Sequence, residues 1–67
     1  MIALTINGSL REFERPLNCA ELVGMLGFSG KRIAIERNGE ILPRSQFAAC
    51  MLQDGDRLEI VVAVGGG

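Results

Sequence analysis

The sequence predicts an α+β fold in which one main helix packs across a mixed sheet, with the order ββαββ and a short helical connection before the final strand. Three observations predict it: two Asn-Gly dipeptides at hairpin positions, one well-capped amphipathic helix between them, and a strand-forming run before the last glycines. A chain of 67 residues has room for one domain. We expect residues 1–64 to form that domain and residues 65–67 to form a flexible glycine tail.

The first hairpin is indicated by residues 2–6, where every second residue is apolar, as in a half-buried strand. The Asn7-Gly8 pair tolerates the positive φ angles of a tight turn, so a second strand is expected at about residues 10–14. Leu10 and Phe13 cannot both face inward without a bulge. The register of this hairpin therefore stays open.

The helix is indicated most clearly at its start. Asn18 is a good N-cap, and Glu21 stands at the capping-box position three residues later. Leu17 and Leu22 occupy the two positions of a hydrophobic staple. The apolar stripe then continues at helical spacing, and Gly27 is expected to follow the helix as its stop.

The second half of the chain predicts a third strand at residues 32–36 and a second hairpin at Asn38-Gly39. A short strand at residues 40–42 follows and ends at Pro43. Ser45 is expected to cap a short helical turn.

The last strand is expected to follow a turn at residues 54–56 and to place alternate residues, from Leu58 to Val64, on its buried face. Its other face begins with charged residues and becomes apolar towards the tail. This change predicts a strand that is central in the sheet or covered at its far end.

Composition argues against several classes of function. The net charge is −1, with acidic and basic residues interleaved, so the chain has no basic face for a nucleic acid. No apolar stretch approaches the roughly 20 residues that span a bilayer, and no signal-peptide pattern is present. We therefore expect a cytoplasmic protein without nucleic-acid or membrane partners.

Catalytic chemistry is also not predicted. The chain contains no histidine, so it cannot form a Ser-His or Cys-His pair. Cys19 and Cys50 alone cannot supply a four-ligand zinc site, and both are expected to be reduced, buried thiols unless the fold brings them close enough for a disulfide. We expect no catalytic residue, no metal and no bound cofactor.

The remaining reactive group is the carboxylate of Gly67. Three glycines can extend about 10 Å beyond a strand, and a chain without Cβ atoms fits a narrow channel. The carboxylate is ionised at neutral pH and can attack an activated phosphate. A partner that uses ATP could adenylate it, after which a persulfide or thiol could displace AMP.

Residues 38–47 read NGEILPRSQF, residues 54–56 read DGD, and residues 64–67 read VGGG. In this order and spacing they resemble the ThiS family, the sulfur carriers of thiamine thiazole biosynthesis. The resemblance covers essentially the whole chain. It implies a ubiquitin-like β-grasp fold whose first and last strands are parallel and central.

The resemblance also implies a function. Gly67 would be adenylated by an E1-like adenylyltransferase of the ThiF type using ATP, and then converted to a thiocarboxylate with sulfur from a persulfide donor. It would donate this sulfur to a thiazole synthase of the ThiG type. Gly65, Gly66 and Gly67 would enter the partner sites, and the free protein is expected to be a monomer.

The partner surface is expected next to the tail, at Val61, Ala63 and Val64. The alternative is that the protein's own elements cover these residues. Other functions also stay open. The molybdopterin-synthase small subunit is a sulfur carrier with the same fold and ending, and a ubiquitin-like modifier also needs a diglycine end. A β-grasp interaction or RNA-binding module with an incidental tail is disfavoured by the missing basic face.

Overall fold

The computed structural model of the protein describes residues 1–63. Within these residues, one sheet and two helical segments account for the regular structure. The strands are β1 (Ile2–Ile6), β2 (Ser9–Phe13), β3 (Ile33–Arg37), β4 (Glu40–Leu42) and β5 (Arg57–Val62). The helices are α1 (Cys19–Met25) and a short 3₁₀ helix (Arg44–Gln46).

The strands lie in the order β2-β1-β5-β3-β4. β1 and β5 are parallel neighbours, and the other pairings are antiparallel. The last strand therefore lies at the centre of the sheet, between the first and the third. This arrangement confirms the predicted α+β class and the ubiquitin-like β-grasp topology.

The register of the first hairpin is resolved without a bulge. Ile2 pairs with Phe13, and Thr5 pairs with Leu10. Phe13 therefore shares the inner face with Ile2 and packs against the core, whereas Leu10 points outward and is 70 % exposed. Asn7 has a φ of 50°, the left-handed conformation that the Asn-Gly turn was expected to require.

Helix α1 begins as the sequence predicts. The Asn18 side chain accepts a hydrogen bond from the Glu21 backbone N–H, and the Glu21 carboxylate accepts one from the Asn18 backbone N–H, each at 2.8 Å. Leu26 is the C-cap of the helix, and Gly27 follows with a φ of 80°. The buried face of the helix packs on the inner face of the sheet to form the core, whose fully buried members are Leu4, Leu22, Ile35, Leu52, Leu58 and Cys19.

The prediction that Ser45 caps the helical turn is wrong. The 3₁₀ helix begins at Arg44 after Pro43, and no side chain caps it. Pro43 already holds the extended backbone that an N-cap position needs, with a φ of −63° and a ψ of 145°, so Ser45 falls inside the turn. Phe47 follows the turn and is buried in the core.

Candidate functional site

Strand β5 is the last strand of the sheet, and the predicted tail follows it in the sequence. Leu58 and Ile60 are buried on its inner face, and the Ala63 N–H donates a hydrogen bond to the Arg32 carbonyl at 2.9 Å. Backbone hydrogen bonds thus continue as far as Ala63, the last described residue. The predicted tail and partner residues Val64, Gly65, Gly66 and Gly67 lie outside the described residues.

Asn7 holds β5 from the side of β1. Its Nδ2 donates to the Ile60 carbonyl at 3.0 Å, and its Oδ1 accepts from the Ile60 N–H at 2.7 Å. The Asn7 backbone N–H also donates to the Leu58 carbonyl at 2.9 Å. Because β1 ends at Ile6, the side-chain amide of Asn7 takes the place of the next peptide group in the parallel ladder. It extends the pairing of β5 towards its end.

The start of β5 is fixed by a buried carboxylate. Asp56 is 7 % exposed and accepts hydrogen bonds from Arg37 Nε at 2.9 Å, from Asn38 Nδ2 at 3.1 Å and from the Gln53 N–H at 2.9 Å. Burial alone would raise the pKa of Asp56, but the hydrogen bonds from Gln53, Asn38 and Arg37 outweigh it and hold the pKa below its ordinary value. This group is therefore a charged anchor of the fold.

The outer face of the sheet is apolar where β5 ends. Val61 is 63 % exposed, Ala63 is exposed, and Ala34 on β3 pairs with Val61 and is exposed as well. We call Val61, Ala63 and Ala34 the open-face patch. The alternative that the protein's own elements cover Val61 and Ala63 is wrong, because α1 packs on the opposite face.

Ala34 was not predicted from the sequence to belong to this patch. Its position depends on the antiparallel register of β3 and β5, in which Ile33 pairs with Val62 and Ala34 with Val61. Strand periodicity gives the face of each residue within one strand but not its neighbour across the sheet. Charges border the patch further along the same face, where Glu36 pairs with Glu59.

Among the described residues the side chains offer little catalytic chemistry. No group of three or more potential metal ligands occurs in residues 1–63. Burial raises the pKa of the Cys19 thiol to about 11, and the neighbouring Cys50 adds to the shift, so thiolate is scarce there at neutral pH. Over the same range, no helix combines the length and the apolar character needed to cross a membrane.

The chain matches a known protein family and resembles several known proteins over most of its length. The ThiS family model matches residues 4–67. A thiazole synthase of Paramagnetospirillum magneticum is 45 % identical over 64 residues, which cover 96 % of this chain and 20 % of that protein. The chain thus spans about a fifth of the length of this relative. An uncharacterized protein, ycf40, of Porphyra purpurea is 39 % identical over 66 residues, covering 98 % of this chain and 93 % of that one.

A solved structure has the same fold. The crystal structure of a thiamine biosynthesis protein (ThiS) from Geobacter metallireducens superimposes with a TM-score of 0.83 at 35 % identity. The match covers 98 % of this chain and 100 % of that chain. The solution structure of a thiamine biosynthesis protein from the same organism gives a TM-score of 0.81.

Proposed function

Because this chain belongs to the ThiS family, we propose that it is a sulfur carrier of thiamine biosynthesis. Its family, its close structural likeness to a thiamine biosynthesis protein and its exposed strand end support this function. In this role the chain is a co-substrate that other enzymes load and unload. The single observation that carries the proposal is the family match, which extends through the terminal glycines.

The chemistry takes place at the carboxylate of Gly67. In a ThiF-type adenylyltransferase, a carboxylate oxygen attacks the α-phosphate of ATP, pyrophosphate leaves, and an acyl adenylate forms. The terminal sulfur of a persulfide then attacks the acyl carbon and displaces AMP. A thiol cleaves the resulting acyl disulfide and leaves the thiocarboxylate. No cofactor needs to bind the carrier itself, since the partner binds ATP.

The folded body sets how far the reacting group can reach. Four residues follow Ala63, and at about 3.3–3.6 Å per extended residue they span at most roughly 14 Å. The active site of each partner must therefore open within that distance of the open-face patch. Glycine at positions 65, 66 and 67 suits a narrow entrance, because partner backbone can approach a chain without Cβ atoms.

We assign docking to the open-face patch together with Val64. Val61 and Ala63 lie immediately before the tail and are exposed, so a partner that binds the tail also covers them. Thiazole synthase is the proposed sulfur acceptor. Support comes from relatives named thiazole synthase in which a segment similar to this chain makes up about a fifth of the protein.

Mass measurement tests the proposal directly. The carrier is incubated with a ThiF-type partner, ATP and a persulfide donor, and we expect the intact mass to show one oxygen replaced by sulfur. Fragmentation should place the sulfur on Gly67. A variant that lacks Gly67 should unfold at the same temperature as the full chain and accept no sulfur. Sulfur loading of the truncated variant would contradict the proposal.

The acceptor separates the related alternatives. The loaded carrier should transfer sulfur to thiazole synthase and not to the large subunit of molybdopterin synthase. A ubiquitin-like modifier would instead form isopeptide adducts with lysines of other proteins. The cytoplasmic location and the monomeric free state stay predictions.

A further inference from the structure

Cys19 and Cys50 face each other across a short antiparallel contact. The flanking residues Asn18 and Met51 form an isolated β-bridge, and the Cys19 N–H donates a hydrogen bond to the Cys50 carbonyl at 3.0 Å. This one bond joins the two residues directly, whereas the Cys50 N–H donates to the Phe47 carbonyl. A disulfide requires a Cα separation of roughly 4.4–6.8 Å, and two residues joined by a direct backbone hydrogen bond are close enough for such a bridge to be considered.

Both side chains also pack into or against the same hydrophobic core. Cys19 belongs to the buried core, and Cys50 is a partly buried residue that packs against it. Both are free thiols in this structure. The two thiols are also near enough for Cys50 to add to the raised pKa of Cys19. Closure of a disulfide therefore calls for a local rearrangement and not for unfolding of the domain.

The two thiols differ in access. Cys19 is fully buried, whereas Cys50 is half-buried and borders a shallow cleft. The other residues lining this cleft are Arg37, Leu42, Gln46 and Ala49. A small oxidant therefore reacts first with the more exposed Cys50. The buried Cys19 then reacts with the modified Cys50.

We propose that Cys19 and Cys50 form a redox pair that small disulfide oxidants, such as oxidised glutathione, convert to an intramolecular disulfide. The Cys50 thiolate attacks one sulfur of the oxidant, forms a mixed disulfide and releases one thiol. The Cys19 thiolate then attacks the Cys50 sulfur, forms the internal bond and releases the second thiol. Two protein thiols lose two protons and two electrons, and the oxidant is reduced to two thiols.

This modification is separate from the proposed sulfur transfer. Cys50 borders the same cleft as Arg37, which pairs with Leu58 at the start of β5, whereas Val62 at its end pairs with Ile33. The pair thus lies nearer to the start of β5 than to its end at Val62. Oxidation should leave loading of Gly67 unchanged, and the inference stands whether or not the proposed function is correct.

The disulfide should stabilise the fold. It joins the start of α1 to the segment before β5 and closes a loop from residue 19 to residue 50, which restricts the unfolded chain. For a domain of this size we expect the melting temperature to rise by at least about 5 °C. Because burial raises the pKa of Cys19 to about 11, closure should be slow at pH 7 and should accelerate about tenfold per pH unit up to pH 9.

Intact-mass measurement of the full chain with oxidised glutathione tests the proposal. The reduced protein should lose two hydrogens, and a digest without reduction should contain one peptide pair that joins residues 19 and 50. Two matched variants separate the steps. Cys19→Ala should keep one glutathione on Cys50, and Cys50→Ala should remain unmodified because its single thiol is buried.

Other outcomes would overturn the redox pair. A stable glutathione adduct on the wild-type chain would show that Cys19 does not resolve it, and disulfide-linked dimers would show that the two thiols do not meet. Should Cys19→Ala fail to fold, alkylation of the wild-type protein supplies the same information. Cys50 should be labelled well before Cys19, and prior oxidation should protect both. Equal labelling rates, or labelling after oxidation, would contradict the proposal.

Discussion

The two ends of strand β5 have opposite surroundings. At its start, the buried Asp56 carboxylate binds three donors from two parts of the chain, and the backbone is paired on both sides. At its end, the outer face carries the exposed Val61 and Ala63. The difference separates the polar contacts that stabilise the strand from the exposed face to which we assign docking. The hydrogen bonds of Asp56 hold the start of the strand. The exposed side chains at its end can therefore contact a partner without the loss of these bonds.

The largest effect on stability is expected at the start of the strand. Asp56→Ala leaves Arg37, Asn38 and the Gln53 N–H without their acceptor, and should lower the free energy of unfolding by about 3 kcal/mol. Urea denaturation measures the loss. Glu59→Gln, an exposed carboxylate on the same strand, is the control and should change stability by less than about 0.5 kcal/mol. Equal losses for both variants would contradict the role of Asp56.

Lowering the pH should reduce the free energy of unfolding through the same residue, Asp56. The pKa of Asp56 is lower in the folded protein than its ordinary value, so its ionised form stabilises the fold at neutral pH. This contribution is complete above the unfolded-state pKa and is lost as the pH falls through the folded-state pKa. Melting temperatures between pH 7 and pH 2 should therefore fall more steeply for the wild type than for Asp56→Asn. Parallel curves would show that Asp56 contributes nothing to the acid dependence.

An intermediate effect is expected between the two ends, at Asn7. Asn7→Ala removes both side-chain hydrogen bonds to Ile60 and places alanine at a φ of 50°, which should lower stability by about 2 kcal/mol. Asn7→Gly also removes the hydrogen bonds but tolerates this φ, so it should cost about 1 kcal/mol. In both variants the Ile60 amide should exchange its hydrogen faster. Unchanged exchange would show that the side chain does not hold the strand.

The smallest effect on stability, and the largest on docking, is expected at the end of the strand. Val61→Asp should lower the free energy of unfolding by less than about 1 kcal/mol, because the side chain is exposed. Its affinity for the proposed adenylating partner should fall at least about tenfold, because binding of the partner would bury the new Asp carboxylate without a counter-charge. Ile41→Asp, at an exposed position on β4, is the matched control and should leave affinity unchanged. A large loss of stability in Val61→Asp would place Val61 in the core.

The sequence predicted the elements whose signals are local. The Asn7-Gly8 and Asn38-Gly39 turns fix positive φ angles within two residues, and Asn18 and Glu21 form a cap within four. These structures need no distant partner, so their residues are enough to predict them.

Long-range contacts were not predictable in the same way. The choice between Leu10 and Phe13 depended on packing against the core, and the neighbour of Val61 depended on pairing with a strand far away in the sequence. The contact between Cys19 and Cys50 has the same origin, since a bridge between distant segments produces it. For the candidate site, the exposure of Val61 and Ala63 was predicted as one of two alternatives. The roles of Val64, Gly65, Gly66 and Gly67 stay predictions.

The central position of β5 also has a mechanical consequence. A tensile load applied through its carboxyl end would act along the strand and shear its hydrogen bonds with β1 and β3 at the same time. An edge strand pulled away from its only neighbour could peel off one bond after another. A partner enzyme that pulls on the terminal residues would therefore have to break many hydrogen bonds at once. The folded domain should remain intact through repeated binding and dissociation.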